Sequence, residues 1–515
     1  MKKKIFDWIG ENKVEFVVLI AILLVGAFLR LYMISGYMTF LGDEGRDAVI
    51  VRRLLVNFDP ILIGPGTSIG NMYLGPLYYY LIAPALFLAN FSPAGPSIFV
   101  AILGVGTIFL VWYMTREFFS KSAAIVAASL YAVSPTTIIY SRSSWNPNVM
   151  PFFATLCILA IWKVWQAKKF DRLTGIWFLV LGGSLAMVLQ SHYLGLLLVP
   201  VLGFYWLLTF YRIYQGKERG GRVFWKYSFM GLALFLFLMS PLIIFDFRHG
   251  FINSKALEIF FTQRQTTVSA RPWNAIPTIW PLWEQITASM LTAKIDQLAI
   301  VVAIFLILGS LWLYKTKESY RKPLGLIFLW LFWAILGMGL YKQHIYDHYF
   351  GFVFAPFFML FGAIFGELLE FKNEVVRTAL ISGTIVIFGV NLINTPINLT
   401  PNRQMERTME IARKIEMEAG GEKFNLAIIA ERNYEDAYQY FLEMWGTGVI
   451  DIDPLNTDAT IAKYLFVVCE YAEKEKCDPT HSPKAEVANF GWSEIIDEWN
   501  IWGMTIYKLG HVVQK

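Results

Sequence analysis

The sequence predicts a polytopic α-helical membrane protein that carries a soluble α/β domain after its last span. Of 515 residues, 56% are hydrophobic and only 16% are charged, whereas charged residues make up about 25% of an ordinary soluble domain. Apolar runs long enough to cross a hydrocarbon core of about 30 Å as helices recur along the chain. From residue 396 onward the composition becomes polar and acidic. We therefore assign a transmembrane domain to 1–395 and a soluble domain to 396–515.

Eleven spans are predicted, and the first is expected to be a retained helix because it is too long for the core of a removable leader. The segment "GPLYYYLIAPALFLANF" at 75–91 is excluded, because its short apolar run is interrupted by Pro84 and suits an interfacial or re-entrant helix. The spans are 14–34, 97–116, 122–141, 148–166, 174–190, 193–211, 226–246, 296–314, 323–341, 349–369 and 376–395.

Basic residues determine the expected orientation. They accumulate in alternate loops, at 2–13, 116–121, 163–172, 212–226, 315–322 and 372–377. Cytoplasmic loops carry such an excess, so we expect a plasma-membrane protein with a cytoplasmic N-terminus. A first external loop at 35–96, a second at 247–295 and the soluble domain then lie outside. If 75–91 crossed the membrane, every later basic loop would lie outside while the basic N-terminus stayed inside, which contradicts the rule. The net charge of +5 is explained by the basic residues expected in cytoplasmic loops. We therefore expect no nucleic-acid partner.

The soluble domain shows a mixed helix and strand pattern. Helical periodicity at 403–419 ends at a Gly-Gly stop, and the strand "FNLAIIA" follows. A second helix at 434–445 precedes the strands "YLFVVCEY" and "GMTIYKLG". Cys469 and Cys477 lie in this region and can form one disulfide. The pattern predicts a small α/β domain.

An acidic pair, Asp43 and Glu44, begins the helical segment after the first span, in "TFLGDEGRDAVIVRRLL". One interpretation is a helix cap, because a carboxylate satisfies free N–H groups at a helix start. The other is a general base, with the neighbouring carboxylate orienting an acceptor or a divalent metal ion. The segment places Ala48, Val51 and Leu55 on one face and predicts a helix along the membrane surface.

Further polar groups lie at the external ends of the spans, where ionisable residues are costly and suggest function. For Arg142, in "YSRSSWNPN", the alternatives are an interfacial anchor and a guanidinium that holds a phosphate. Arg248 and His249 either cap a helix or bind a ligand. In "YKQHIYDHYF", His348 and Tyr349 fit no zinc spacing and favour binding of a sugar phosphate. Trp145, Asn146 and Pro147 are interpreted as turn residues, and His192 as structural.

Together these motifs resemble the GT-C superfamily, the polyprenyl-phosphate-sugar-dependent glycosyltransferases that include protein O-mannosyltransferases and the lipid A aminoarabinose transferase. The resemblance rests on "GDEGRDA", "GPLYYYLIAPAL", "REFF" and "SPTTIIYSRSSWNPN", with weaker similarity at "FDFRHGF" and "HYFGFVFAPFFMLFGA". It covers the first loop and the first five spans best. In one departure, Gly75-Pro76 stands where the family often has a lysine or histidine.

The resemblance implies an inverting transfer of a sugar from a lipid monophosphate to an acceptor hydroxyl on a glycan, lipid or protein. The family's acidic pair maps onto Asp43, with Glu44 as its helper, and the donor-phosphate arginine maps onto Arg142. These residue types suit the reaction, because an attacking hydroxyl needs a base and a departing phosphate needs positive charge. No cofactor is required by this scheme, although a divalent metal held by the acidic pair is an option.

Two other functions fit the sequence less well. A transporter or flippase of lipid-linked saccharides uses the same phosphate contacts, but transporters tend to have charged groups near mid-span and repeated halves. This sequence has its ionisable groups at one face and shows no repeat. A scaffolding protein leaves the polar span ends unexplained.

Overall fold

The computed structural model describes residues 2–67, 70–216, 220–263, 267–269 and 271–512. Lys217 and Arg219 of one predicted basic loop lie outside these ranges, as do small parts of both predicted external loops and residues 513–515.

Helices dominate the described residues. In chain order they are α1 (Lys2–Glu11), α2 (Lys13–Leu31), α3 (Ile34–Tyr37), α4 (Gly42–Asn57), α5 (Leu77–Leu88), α6 (Ala94–Phe118), α7 (Lys121–Val133), α8 (Pro135–Ile139), α9 (Met150–Gln166), α10 (Arg172–Ser191), α11 (Val199–Tyr214), α12 (Gly221–Arg248), α13 (Ile252–Thr262), α14 (Ile279–Leu291), α15 (Asp296–Thr316), α16 (Arg321–Gly339), α17 (Phe354–Leu369), α18 (Glu374–Ile393), α19 (Gln404–Ala419), α20 (Asp436–Met444), α21 (Thr457–Thr460) and α22 (Ala485–Phe490).

The strands are β1 (Gly66–Thr67), β2 (Gly70–Tyr73), β3 (Phe424–Ile429), β4 (Tyr464–Cys469), β5 (Ser493–Ile501) and β6 (Met504–His511). Short 3₁₀ turns precede several helices, at Asn146–Val149, Tyr193–Leu198, Pro272–Thr278, Glu318–Tyr320 and Asp347–Val353, and two more lie at Pro396–Asn398 and Lys474–Lys476.

Ten helical segments among the described residues are long and apolar enough to cross a membrane. They are built on α2, α6, α9, α10, α11, α12, α15, α16, α17 and α18, which matches ten of the eleven predicted spans. A multi-pass membrane protein is confirmed. We call the side of the bundle that carries residues 404–512 the domain face.

The eleventh predicted span, 122–141, is a broken helix. It ends as α7 at Val133 and restarts as α8 after Ser134, because Pro135 has no N–H to continue the ladder. At one end Lys121 donates to Asn12, beside the start of α2. At the other end the carbonyl of Ala132 accepts from Arg30, near the end of α2, at 2.9 Å. The segment therefore runs the length of α2 despite its break.

The segment 75–91 forms α5 and stays at the domain face. Near its start, the N–H of Leu77 donates to Gln190 at the end of α10, at 3.2 Å. Just beyond its other end, the carbonyl of Phe91 accepts from Tyr440 of the C-terminal domain. Twelve helical residues rise about 18 Å. Both ends of α5 therefore lie on the domain face, and its half-insertion in the membrane stays a prediction.

The predicted surface helix is α4, but it is covered rather than exposed. Ala48 and Val51 are buried, as the pattern predicts. One apolar cluster joins α4 and α5 to α19, α20 and the C-terminal sheet, and Phe40 makes an edge contact with Phe441 at 5.6 Å. The C-terminal domain and the first loop therefore share a core.

The C-terminal domain is a four-stranded sheet in the order β3-β4-β6-β5, with β3 and β4 parallel and the other pairs antiparallel. Helices α19 and α20 and strands β3, β4 and β6 agree with the predicted elements. The strand β5 was not predicted. Cys469 and Cys477 form a disulfide, as the sequence allows.

Candidate active site

Two adjoining cavities lie at the domain face, and both are lined by Asp43 and Trp145. The first, of about 340 Å³, is bounded by the start of α4, Tyr140 and two residues of the C-terminal domain, Arg432 and Tyr434. The second, of about 140 Å³, is lined by residues from five separate parts of the chain. Asp43 therefore lies where the two cavities meet.

The Asp43 carboxylate is held through one oxygen. Its Oδ1 accepts from Arg46 Nη1 at 2.8 Å and from the hydroxyl of Tyr434. The side chain is 41% exposed. Within the described residues, both contacts use Oδ1, so Oδ2 is available to a molecule in the cavity. A half-exposed, oriented carboxylate has the geometry that a general base needs.

Glu44 is the helix cap of the pair. Its Oε2 accepts from the backbone N–H of Leu41 at 3.1 Å, one turn before its own position. The side chain is buried, and burial raises the pKa of Glu44 to about 7, against the lowering effect of the Leu41 and Glu44 backbone hydrogen bonds. The two members of the acidic pair therefore differ: Glu44 is buried and caps α4 beside the first cavity, while Asp43 is half-exposed and lines both cavities.

Arg46 joins Asp43 to a second, buried carboxylate. Its guanidinium donates to Asp47 Oδ1 from Nη2 at 2.7 Å and from Nε at 3.0 Å. Burial raises the pKa of Asp47 to about 6, although the charge of Arg46 opposes this. Two carboxylates thus fix the guanidinium on the cavity wall, and Arg46 in turn fixes Asp43.

The second cavity brings His348 and Tyr349 together with His192, as well as with Arg46. His348 lies 4.6 Å from the Trp145 ring and 6.1 Å from the His192 ring, measured between centroids. Asp43 is near enough for its charge to act on His348. These groups can supply hydrogen bonds and positive charge to an anion.

His192 is a neutral donor in this cavity. Burial, with a smaller effect of His348, lowers its pKa to about 3. Its Nδ1 accepts from the backbone N–H of Leu194 at 3.2 Å, so the ring proton is on Nε2. The imidazole can therefore donate a hydrogen bond but carries no charge at neutral pH.

Arg142 does not line either cavity. It is 2% exposed, and its Nη1 and Nη2 donate to the carbonyls of Leu29 and Tyr32 at 2.9 and 2.6 Å. Its guanidinium also stacks over Tyr37 at 4.6 Å. Carbonyls at a helix end lack intrahelical partners, so Arg142 caps the end of α2. This contact set favours the anchoring interpretation over the phosphate-binding one.

Arg248 and His249 are exposed at the end of α12, and neither lines the two cavities. The His249 ring stacks on Phe245 at 4.1 Å, and its Nδ1 is 2.8 Å from the Phe245 carbonyl. The buried residue here is Asp246, whose carboxylate accepts from the N–H groups of Asn253 and Ser254 at the start of α13. These contacts agree with the capping alternative.

The two carboxylates of the acidic pair have different partners. Asp43 is directed to Arg46 and Tyr434, whereas Glu44 is directed to the Leu41 backbone. Across the described residues, no group of three or more His, Cys, Asp or Glu side chains could hold a metal ion. The metal option for this pair stays a prediction.

Comparison with known proteins identifies the architecture. Residues 74–245 match the family model of the dolichyl-phosphate-mannose-protein mannosyltransferases. No curated protein matches the chain. The solved structure of ArnT from Cupriavidus metallidurans bound to undecaprenyl phosphate aligns over 97% of this chain and 98% of its own, with a TM-score of 0.60 and 11% identity. The chain has the GT-C fold.

A second GT-C structure agrees. AglB from Archaeoglobus fulgidus, in complex with an inhibitory peptide and a dolichol-phosphate, aligns over 91% of this chain and 70% of its own, with a TM-score of 0.52 and 15% identity. At these identities the likeness shows the fold. The predicted superfamily resemblance and fold class are confirmed.

The sequence did not point to several of the residues that line these cavities. His192 and Trp145 line the second cavity, although the sequence suggested a structural histidine and a turn. Asn146 and Pro147 line this cavity too, although a 3₁₀ turn does begin at Asn146, and the Asn146 Nδ2 donates to the Ser191 carbonyl at 2.7 Å. The sequence did contain one indication that these residues lie near each other, because "QSHY" and "YSRSSWNPN" both lie at the external ends of predicted spans. Tyr434 gave no signal, because it lies 391 residues from its partner Asp43.

Proposed function

We propose that this protein is an integral membrane glycosyltransferase that moves a sugar from a polyprenyl-phosphate carrier to an acceptor hydroxyl, with inversion. The observation that carries the proposal is the position of Asp43, oriented and half-exposed where two cavities meet. In the proposed reaction, Asp43 removes the proton of the acceptor hydroxyl as the hydroxyl oxygen attacks the anomeric carbon. The bond to the lipid phosphate breaks, and the phosphate leaves as an anion.

The second cavity suits the donor phosphate. Arg46 offers a fixed positive charge, and His192 and His348 offer hydrogen-bond donors on the same wall. Hydrogen bonds to a phosphate oxygen stabilise the negative charge that develops as the phosphate departs. Tyr349 lines the same cavity, and its hydroxyl can add a further bond. We assign Arg142 to support of the helix end behind this site.

The first cavity is proposed to take the acceptor. It shares Asp43 with the second cavity and is bounded on one side by the C-terminal domain. We place this face outside the cytoplasm, in the plasma membrane, because the basic loops follow the opposite ends of the helices. A lipid-linked donor and its acceptor then meet at the membrane surface.

Reconstituted protein tests the proposal against a transporter. Purified chain in vesicles is supplied with a panel of polyprenyl-phosphate hexoses and pentoses together with an envelope extract as the acceptor source. Release of polyprenyl phosphate that requires the extract supports a transferase. Movement of intact donor between leaflets, without its consumption, would show a flippase. Mass analysis of glycans in a deletion strain then identifies the product.

A further inference from the structure

We propose that the C-terminal domain completes the active site, with Tyr434 acting as a positioning residue for Asp43. This inference rests on the proposed role of Asp43 as the base. It adds a residue from a different part of the chain, 391 positions away in sequence, and gives the domain a part in the reaction itself.

The contact between Tyr434 and Asp43 is direct. The phenol donates to Oδ1, the same oxygen that accepts from Arg46. Arg46 Nη1 also lies 3.3 Å from the Tyr434 hydroxyl, so the three groups form a closed triangle. Burial raises the pKa of Tyr434 above its ordinary value, so the phenol keeps its proton and donates. Two donors on Oδ1 orient Oδ2 towards the cavity.

The residue before Tyr434 fastens this loop to α4. Asn433 Oδ1 accepts from the N–H of Gly42 at 2.8 Å and from the N–H of Tyr434 at 3.0 Å. Its Nδ2 donates to Glu470 Oε1, just after strand β4, at 3.0 Å. One amide side chain therefore connects the start of α4 to the domain sheet and sets the place of the phenol.

Two glycines of α4 permit this close approach. A Cβ on Gly42 would lie 2.6 Å from the Tyr434 ring, and a Cβ on Gly45 would lie 2.3 Å from the backbone nitrogen of Ala437 in α20. Real Cβ contacts are not that short, and the obstacle at Gly45 is backbone that cannot turn aside. The glycine spacing thus forms a flat face on which α20 and its preceding loop rest.

The test is Tyr434→Phe, which removes the hydroxyl and keeps the ring. We expect kcat to fall about tenfold to a hundredfold, as when a charge-assisted bond no longer orients a reacting group. The KM for the donor and the thermal unfolding midpoint should stay near those of the unmodified protein. The matched control is Tyr440→Phe, whose lost hydroxyl bonds to Phe91 at the same interface without touching Asp43. An unchanged kcat in Tyr434→Phe, or an equal loss in both variants, would overturn the proposal.

A second variant displaces α20 and the loop before it from α4. Gly45→Ala should force α20 away from α4 and lower kcat in the same way, with Asp43 and Tyr434 both present. Gly36→Ala is the control, since its Cβ would meet Pro401 at an ordinary 3.5 Å. Normal kcat in Gly45→Ala contradicts the inference. Asp43→Asn is measured in parallel: if that variant is fully active, the proposed function fails, whereas its inactivity beside an active Tyr434→Phe rejects only the positioning role.

Discussion

Replacing Asp43 by asparagine separates a catalytic base from a structural carboxylate. The amide oxygen of asparagine can still accept from Arg46 and Tyr434, so the local geometry is retained. The lost ion pair is 24% exposed on Arg46 and 41% exposed on Asp43, and such pairs contribute about 0–1 kcal/mol to stability. A positioned base contributes about 10²- to 10⁴-fold in rate, which corresponds to about 3–5 kcal/mol of barrier. The two effects differ enough to be told apart.

The assay is sugar transfer by purified protein from a polyprenyl-phosphate donor, with thermal unfolding measured on the same samples. We expect Asp43→Asn to lose at least about a hundredfold in kcat with little change in unfolding midpoint. Glu406→Gln is the matched control, because Glu406 also pairs with an arginine three positions away and is similarly exposed, at 36%. It lines neither cavity. Turnover of Asp43→Asn within a few-fold of the control refutes the reasoning.

Three further predictions follow from the same contacts. Arg142→Lys should lower the unfolding midpoint, because lysine lacks the planar fork whose two nitrogens each bond one carbonyl, and a buried carbonyl left unsatisfied costs about 1–3 kcal/mol. A raised donor KM with unchanged stability would instead support the phosphate-binding interpretation of Arg142. The raised pKa of about 7 for Glu44 means that between about pH 4.5 and 7 the folded state binds more protons than the unfolded state, so the protein loses stability as the pH rises. Glu44→Gln should remove part of this loss. If the unfolding midpoints of the two proteins fall equally with pH across that range, the prediction is wrong. Cysteine introduced at Lys317 should be labelled only from the cytoplasmic side and cysteine at Leu455, which is 97% exposed, only from outside, and the reverse result would invert the proposed orientation.

The sequence alone determined the membrane class, ten of the long spans and most of the C-terminal elements, because hydropathy and periodicity are local properties of the chain. It also predicted α4 with its buried face and located Asp43 at a helix start. It missed β5, whose residues are mostly exposed along an edge of the sheet, because an edge strand with charged residues lacks the alternation that indicates a half-buried strand.

Tertiary structure decided which polar residues meet. Arg142 and His192 occupy similar places at span ends in the sequence, yet Arg142 turns to the carbonyls of α2 while His192 lines a cavity. Asp43 and Glu44 are adjacent, yet Asp43 is half-exposed where the two cavities meet and Glu44 is buried. A helix rotates about 100° per residue, so packing of α4 against the rest of the fold separates their roles. The contact of Tyr434 with Asp43 exists only because the C-terminal domain folds back onto the glycine face of α4, and spacing along the chain carries no trace of that approach.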